Sequence, residues 1–487
     1  MEKQAYDILI VGGGIVGTAL ARALSFYRVR IALLEARRDF ARSTSGANSG
    51  IIHAGYDAQP GTLMAALNVK GCAMYPALCK DLSIPFRKIG SLVLAFDQED
   101  LNTLRVLLER GEQNGVRGLQ VLSQEALRKM EPAVSAVGAL YAPEAGVISP
   151  YEAAVAFAEN AAENGADIYL SHEVRAICRE PGGLFTVEAG GTEPDCSTKL
   201  FTARLVVNCA GLSAGQINRM AGAEPVAETY RKGEYILYDK IYGNFVRSVI
   251  FQPPTKAGKG VLVTPTAEGN LLIGPSSDPV TERTVNTTAA GMADILQKAR
   301  KSCPELPSGG SITAFAGIRP VVGSDFIIRG SDVLPGFLYT AGICSPGLTA
   351  APAIAEMLTN LIDAQLPLQP KSRPVLTRRG IPDFAAMDWQ QRSRLAEEDR
   401  HFAKIICRCE TVTEGQILMA IRSAALFRYA QPDVDWVKRR CRAGLGRCQG
   451  GFCRPYVEEL IRKYASGGAR ENMQRRNQSD YDENLGV

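Results

Sequence analysis

Five of the twelve cysteines crowd into one stretch: Cys407, Cys409, Cys441, Cys448 and Cys453. The other seven, Cys72, Cys79, Cys178, Cys196, Cys209, Cys303 and Cys344, are scattered. The N-terminus MEKQAYDILIVGGG does not read as a secretory leader, because its apolar run leads straight into a glycine turn. A disulfide framework is therefore not expected, and the crowded cysteines read as metal ligands. Cys407-Arg-Cys409 is separated by 38 residues from Cys448-Gln-Gly-Gly-Phe-Cys453. Zinc knuckles prefer two to four residues between paired cysteines, so the C-x-C pair argues against zinc. Four thiolates at these spacings suit a [2Fe–2S] cluster, with a zinc-stabilised helical hairpin as the alternative. Cys441 reads as a bystander that could exchange with a named ligand. Lys438, Arg439, Arg440, Arg442 and Arg447 are expected to offset the cluster's negative charge.

A second chemical signal lies at the other end of the chain. Gly12-Gly13-Gly14-Ile15-Val16-Gly17 fits G-x-G-x-x-G. Gly12 allows a tight turn, Gly14 lets backbone approach a pyrophosphate, and Gly17 lets helix and strand pack closely. Glu35 follows eighteen residues after Gly17, where a carboxylate can accept from ribose hydroxyls. Only one such motif is present, so a second dinucleotide domain for NAD is not expected. The small, hydroxyl-rich run Ser43-Thr44-Ser45-Gly46-Ala47-Asn48-Ser49-Gly50 suits a loop along a pyrophosphate and ribityl chain. One dinucleotide site with such a loop favours a tightly held flavin.

The elements that position these groups can be read from periodicity. Tyr6–Val11 is a buried strand, residues 15–24 carry a helical pattern, and Arg30–Leu34 is a second strand. Helical patterns recur at about 63–82 and 98–115. Residues 204–211 read as another strand entering a glycine turn, and about 230–274 is β-rich. PGFLYTAGICSPGLTAAPAIAEMLTNLI reads as strand, turn and long helix. LPLQPKSRPV carries three prolines in ten residues and reads as a linker. From Lys371 onward 22 Lys and Arg face 15 Asp and Glu, whereas the whole chain of 487 residues carries only +4. That balance argues against nucleic-acid binding. No apolar stretch is long enough to span a bilayer. A cytoplasmic protein without an integral membrane segment is expected, docking on a membrane only through a partner.

The segments TSGANSGIIHAGYD, RKGEYILYD, GKGVLVTPTAEGNLLIGP, FAGIRPVVGSDFIIR and GICSPGLTAAPAIAE resemble the D-amino-acid-oxidase-like FAD oxidoreductase superfamily. Within it they resemble the bacterial glycerol-3-phosphate dehydrogenase/oxidase branch, with L-2-hydroxyglutarate dehydrogenases as close relatives. ICRCETVTEGQI and VKRRCRAGLGRCQGGFCRP resemble the bacterioferritin-associated-ferredoxin-like [2Fe–2S] domain, whose ligands would be Cys407, Cys409, Cys448 and Cys453. The resemblance implies an α/β fold: a Rossmann-like FAD-binding domain with an inserted β-rich substrate domain, plus a small helical C-terminal [2Fe–2S] domain. FAD-binding parts are expected at about 1–90, 145–225 and 310–365, and substrate parts at about 91–144 and 226–309. A linker at 366–400, the cluster domain at 401–465 and a disordered tail at 466–487 complete the division. The resemblance also implies that Glu35 holds the adenine ribose, that Ser45, Asn48 and Ser49 line the flavin, and that Val174 lies near the adenine. Gly211 would follow the second flavin strand. The turn containing Gly342, Gly347, Leu348 and Thr349 would sit at the pyrimidine end.

A flavin that oxidises a secondary alcohol needs its C–H aimed at the ring, a base for the hydroxyl proton, and cations for an anionic substrate. The chain has three histidines, and His53 is the expected base because it directly follows the flavin-lining run. His172 and His401 are expected to be structural or on the surface. The resemblance places Arg319 against the substrate and Lys259 as a second phosphate contact, with Ser345 able to hydrogen-bond it. Two cations suit a phosphate such as glycerol 3-phosphate, but a dicarboxylate such as 2-hydroxyglutarate fits as well. Hydride to the flavin and onward single-electron transfer through the cluster imply an electron-accepting partner subunit or quinone pool, and disfavour an oxidase. An electron-transfer subunit without its own substrate is the remaining alternative.

Overall fold

The computed structural model describes residues 3–191, 197–254 and 260–465. Lys259 and the tail at 466–487 lie outside the described residues.

The strand Lys3–Val11 pairs in parallel with Ile31–Leu34 on one edge and with Lys199–Asn208 on the other. Asp167–Tyr169 extends the sheet beside Ile31–Leu34, and Phe337–Ala341 lies parallel to Lys199–Asn208. Ile8, Leu9 and Ile10 are completely buried, as a parallel strand covered on both faces requires. One face is covered by the helices Ile15–Leu24, Pro150–Glu163 and Gly347–Asp363. Pro150–Glu163 presents Ala153, Ala154, Ala158 and Ala161, all fully buried, so neighbouring backbones pack closely. The expected Rossmann-like core is therefore present, with its glycine turn at the carboxyl ends of the strands.

A second, nine-stranded sheet is built mainly from antiparallel pairs and carries Ser91–Ala95, Gly138–Ala142, Thr229–Tyr238, Leu262–Pro265 and Leu271–Gly274. Ser311–Val321 also belongs here, pairing with Thr229–Tyr238 along nearly its whole length. The sequence reading grouped this strand with the FAD-binding part. Its register, which sets Arg319 opposite Arg231, makes it a wall of the β-rich sheet instead.

The proline-rich segment after residue 366 is an ordered strap. Asn160 and Asn164 donate side-chain hydrogen bonds to the Val375 carbonyl, and Arg378 binds Glu159. Prolines suppress regular structure there, but buried side chains of a neighbouring helix satisfy the backbone. A helix, Trp389–Glu398, then leads to the C-terminal domain through a capping box at Asp388. That domain has the short pair Ile405–Cys407 and Val412–Thr413, the helices Glu414–Arg422 and Val434–Cys441, and a helix over 454–465. Phe427, Trp436 and Leu460 share one hydrophobic cluster with Leu20 and Phe40 of the N-terminal unit. No described helix is long and apolar enough to cross a membrane.

Candidate active site and cluster site

Gly12 adopts φ +108, and a Cβ there would stand 2.6 Å from the Cys209 carbonyl, so only glycine fits the turn. Gly17 packs onto the Gly12 carbonyl. Gly14 caps the helix Ile15–Leu24 without a side-chain bond, and no acidic residue occupies its first turn. Ser45 Oγ instead accepts from the Ile15 N–H at 2.9 Å. The Glu35 carboxylate accepts from the Gly13 N–H at 2.6 Å and the Arg37 N–H at 2.7 Å. Burial nevertheless pushes its pKa above the ordinary value. These two bonds fix the carboxylate while leaving lone pairs for a ribose diol. The His172 N–H bonds the Glu35 carbonyl, which brings buried Val174 into the neighbouring strand His172–Arg179. Gly211, at φ +57, follows the strand Lys199–Asn208 beside the Gly12 turn. The glycines, the helix terminus and Glu35 thus fit a dinucleotide.

The loop from Thr44 to Gly50 is shaped internally. Asn48 donates to the Thr44 and Ser45 carbonyls and accepts from the Gly50 N–H, so it holds the loop's curvature. Ser49 is half-buried next to it. Thr44 donates to the Ile318 carbonyl at 2.6 Å, and Gly317 packs on the Ala47 carbonyl with no room for a side chain. The cofactor loop and the strand that bears Arg319 are therefore in contact.

His53 emerges from that loop. Its backbone N–H donates to Thr349 Oγ1 at 3.0 Å, and Thr349 donates to the Ile51 carbonyl. Nε2 lies 3.4 Å from Ser345 Oγ. The ring stacks on Phe251, with centroids 5.7 Å apart. Phe251, which sequence reasoning missed, comes from the β-rich sheet and shows that the sheet reaches the imidazole. Gly342 takes φ +67, Gly347 opens the helix Gly347–Asp363, and the Leu348 carbonyl accepts from Tyr75. His53, Ser345 and Thr349 are thus brought together.

Arg319 is half-buried. One amino group donates to the Ser276 carbonyl at 3.2 Å and lies 3.5 Å from Ser277 Oγ. Its Nε is buried without a partner among the described residues, which leaves a charged donor for an anion. Arg231, opposite it in register, also binds Ser277 and was not singled out in the sequence. His172 is fully buried, with Nδ1 2.8 Å from the Leu170 carbonyl. His401 pairs with Asp399 at the surface. Neither is near His53's contacts.

In the C-terminal domain the four named cysteines fall into two pairs. Cys409 and Cys448 have sulfurs 3.5 Å apart, and Cys407 pairs with Cys453. Each pair takes one cysteine from each motif. Among the described residues no point lies within ligand reach of three His, Cys, Asp or Glu side chains. A [2Fe–2S] cluster asks two thiolates of each iron, which two such pairs can supply. The Cys453 thiol and the N–H groups of Gly444 and Glu410 pull the Cys407 pKa down to about 6. The Phe452 N–H lowers that of Cys448. Donors thus favour the thiolate on Cys407 and Cys448, while burial raises the Cys409 pKa and the shared proton with Cys407 raises that of Cys453; two facing sulfur pairs, one cysteine of each motif in each, fit the cluster. Cys441 is buried, donates to the Val437 carbonyl at 3.3 Å, and burial pushes its thiol to about 12.

The basic residues around the cluster have a different role from the one expected. Arg439 and Arg440 bind Asp39, Arg442 binds Glu410, and Arg447 binds Asp239. Each is committed to a carboxylate, three of the four to one in another domain or at its border; Arg439, Arg440 and Arg442 are largely buried, where a guanidinium must be paired, and Arg447 is exposed.

Geometry of this kind defines a two-module redox protein, with a dinucleotide-binding unit joined to a ferredoxin-like one. Comparison with known proteins supports both halves. The chain belongs to the FAD dependent oxidoreductase family, which it matches over residues 7–361, and residues 405–463 match the BFD-like [2Fe-2S] binding domain. It is 45% identical over 461 residues to a glycerol 3-phosphate dehydrogenase of Caloramator mitchellensis, covering 94% of each chain. It is 34% identical to a glycerol 3-phosphate oxidase of Mycoplasma pneumoniae, covering 75% of this chain and 97% of that one. The FAD-bound structure of L-alpha-glycerophosphate oxidase from Mycoplasma pneumoniae superposes with a TM-score of 0.73 at 32% identity, over 78% of this chain and all of that one.

Proposed function

We propose that the protein oxidises sn-glycerol 3-phosphate to dihydroxyacetone phosphate and delivers the electrons through its C-terminal domain to an electron-accepting partner or quinone pool. The observation that carries this reading is the likeness to a glycerol 3-phosphate dehydrogenase across both modules. The relative named an oxidase is matched over nearly its whole length by three quarters of this chain. Arg319, with a buried Nε free of partners among the described residues, holds the substrate phosphate. Lys259, outside the described residues, adds a second cation. The His53 imidazole takes the proton of the C2 hydroxyl. Ser345, 3.4 Å from Nε2, orients that hydroxyl or the ring. Phe251 shields one face of the imidazole from water. When bound, FAD accepts the hydride and the [2Fe–2S] cluster carries electrons singly. Glu35, Ser45, Asn48 and Ser49 hold the first, and Cys407, Cys409, Cys448 and Cys453 the second. Cys409 and Cys448 are exposed whereas Cys407 and Cys453 are buried, so the partner meets the Cys409 and Cys448 side.

Anaerobic mixing of the purified flavoprotein with glycerol 3-phosphate tests the reading. Bleaching of the flavin band is expected. Bleaching by 2-hydroxyglutarate and not by glycerol 3-phosphate overturns the substrate and keeps the enzyme class.

A further inference from the structure

Between Glu35 and Ser45, the two residues that hold the ends of the dinucleotide turn, the chain runs through Asp39, Phe40, Ala41 and Arg42. Three of these four side chains meet the C-terminal domain. Asp39 is buried and bound by Arg440 at 2.9 and 3.0 Å and by Arg439 at 2.8 Å. Phe40, fully buried, meets the Phe427 ring edge-on at 5.0 Å. Arg42 pairs with Asp435 at 2.9 Å. Arg439, Arg440 and Asp435 all belong to the helix Val434–Cys441. Ala41 bonds the Gly13 carbonyl, in the middle of the glycine turn, through its own N–H at 3.2 Å. It does so at φ +52, a left-handed conformation that a residue with a side chain keeps only when its surroundings hold it. Gly46 packs on its carbonyl from within the loop, and both of its neighbours are anchored from the other domain.

We infer that the ferredoxin-like domain is a structural part of the FAD site: Arg439 and Arg440 are positioning residues that fix Asp39 to Arg42 against the glycine turn, so that flavin retention and docking of the C-terminal domain are linked. The inference rests on assigning the Gly12 turn and Glu35 to FAD. The coupling runs through one continuous chain of contacts, from the arginines to Asp39, along the backbone to Ala41, and from its N–H to Gly13. The side chain of Arg440 is completely buried, with Asp39 on one side and Glu159 3.5 Å from its Nε. Swinging the domain away would split this buried pair and open both charges, with the apolar surface around them, to water. Coupling is reciprocal, so flavin must also tighten the domain.

Two measurements on the full chain test this. In the first, amide hydrogen exchange of wild-type protein is compared with flavin bound and after flavin is stripped. Exchange across residues 434–441 is expected to quicken by about tenfold on stripping. Unchanged exchange there, alongside faster exchange at 12–17, overturns the inference and leaves FAD binding intact. Protein that never takes up FAD sinks the cofactor assignment instead. In the second, Arg439→Gln keeps the Arg440 pair on Asp39 and so keeps the fold. The FAD dissociation constant, read from the fluorescence of released flavin, is expected to rise about tenfold while iron content and far-ultraviolet circular dichroism stay at wild-type values. An unaltered dissociation constant refutes the linkage. Should the variant misfold, the exchange measurement on wild-type protein decides.

Discussion

Replacing Arg319 by methionine removes the anion grip while keeping a side chain of similar length in its half-buried slot. Arg319 gives one amino group to Ser276 and Ser277, and its Nε has no partner among the described residues. The Nε–H, together with the second hydrogen of that same amino group, can offer two N–H bonds to a phosphate. A hydrogen bond to a charged group contributes about 1.5–3 kcal/mol, so the pair is worth about 3–6 kcal/mol. At about 1.4 kcal/mol per tenfold, kcat/KM for glycerol 3-phosphate should fall by about 10²- to 10⁴-fold. Anaerobic rapid mixing, followed at the flavin absorbance, measures this directly. Any reaction with uncharged glycerol should change little, because no phosphate is present to lose. Arg319→Lys should recover part of the loss, since it restores charge without the planar fork. A loss below about threefold on glycerol 3-phosphate, with FAD and iron retained, would refute the role given to Arg319.

Three further outcomes are expected. His53→Gln should keep FAD yet slow flavin reduction by about 10²- to 10⁴-fold, the usual worth of a positioned base, measured in the same single-turnover assay. Cys409→Ser should abolish the cluster's visible absorption while glycerol 3-phosphate still bleaches the flavin, and transfer to an external acceptor should fall. Glu152 has its pKa pushed up to about 8, by burial first and then by the neighbouring Glu268. A carboxyl whose pKa is raised on folding supports stability fully below its ordinary value near 4.5, and that support fades as pH climbs towards 8. Glu152→Gln should therefore gain thermal stability relative to wild type between pH 6 and pH 8.5, and parallel melting curves across that range would contradict it.

The parts of the site that sequence revealed are those built from local spacing. The glycine turn, Glu35 and the two cysteine motifs each lie within one short segment or a strand–turn–helix unit, where backbone geometry dictates residue type. His53 was found because it directly follows the cofactor loop. Phe251 was not, since an aromatic residue in a β-strand carries no mark of what it will stack against. The basic residues near the cluster were visible, but their partners were not. Arg440 and Asp39 are 401 residues apart, and an ion pair at that distance leaves no periodic trace. The segment that holds the strand Ser311–Val321 was grouped with the FAD-binding part by resemblance, and a short motif does not show which neighbour a strand takes. The strap after residue 366 was read from its prolines, yet its order comes from Asn160 and Asn164 on a distant helix.

The clasp between Asp39 and the helix Val434–Cys441 has a bearing on biogenesis. A ribosome releases Asp39 and Phe40 long before Phe427 and the helix Val434–Cys441. Until those emerge, the nascent chain holds an uncovered aromatic ring at Phe40 and a carboxylate waiting for its counter-ions, so the segment beside the glycine turn gains its supports only after Arg440 is made.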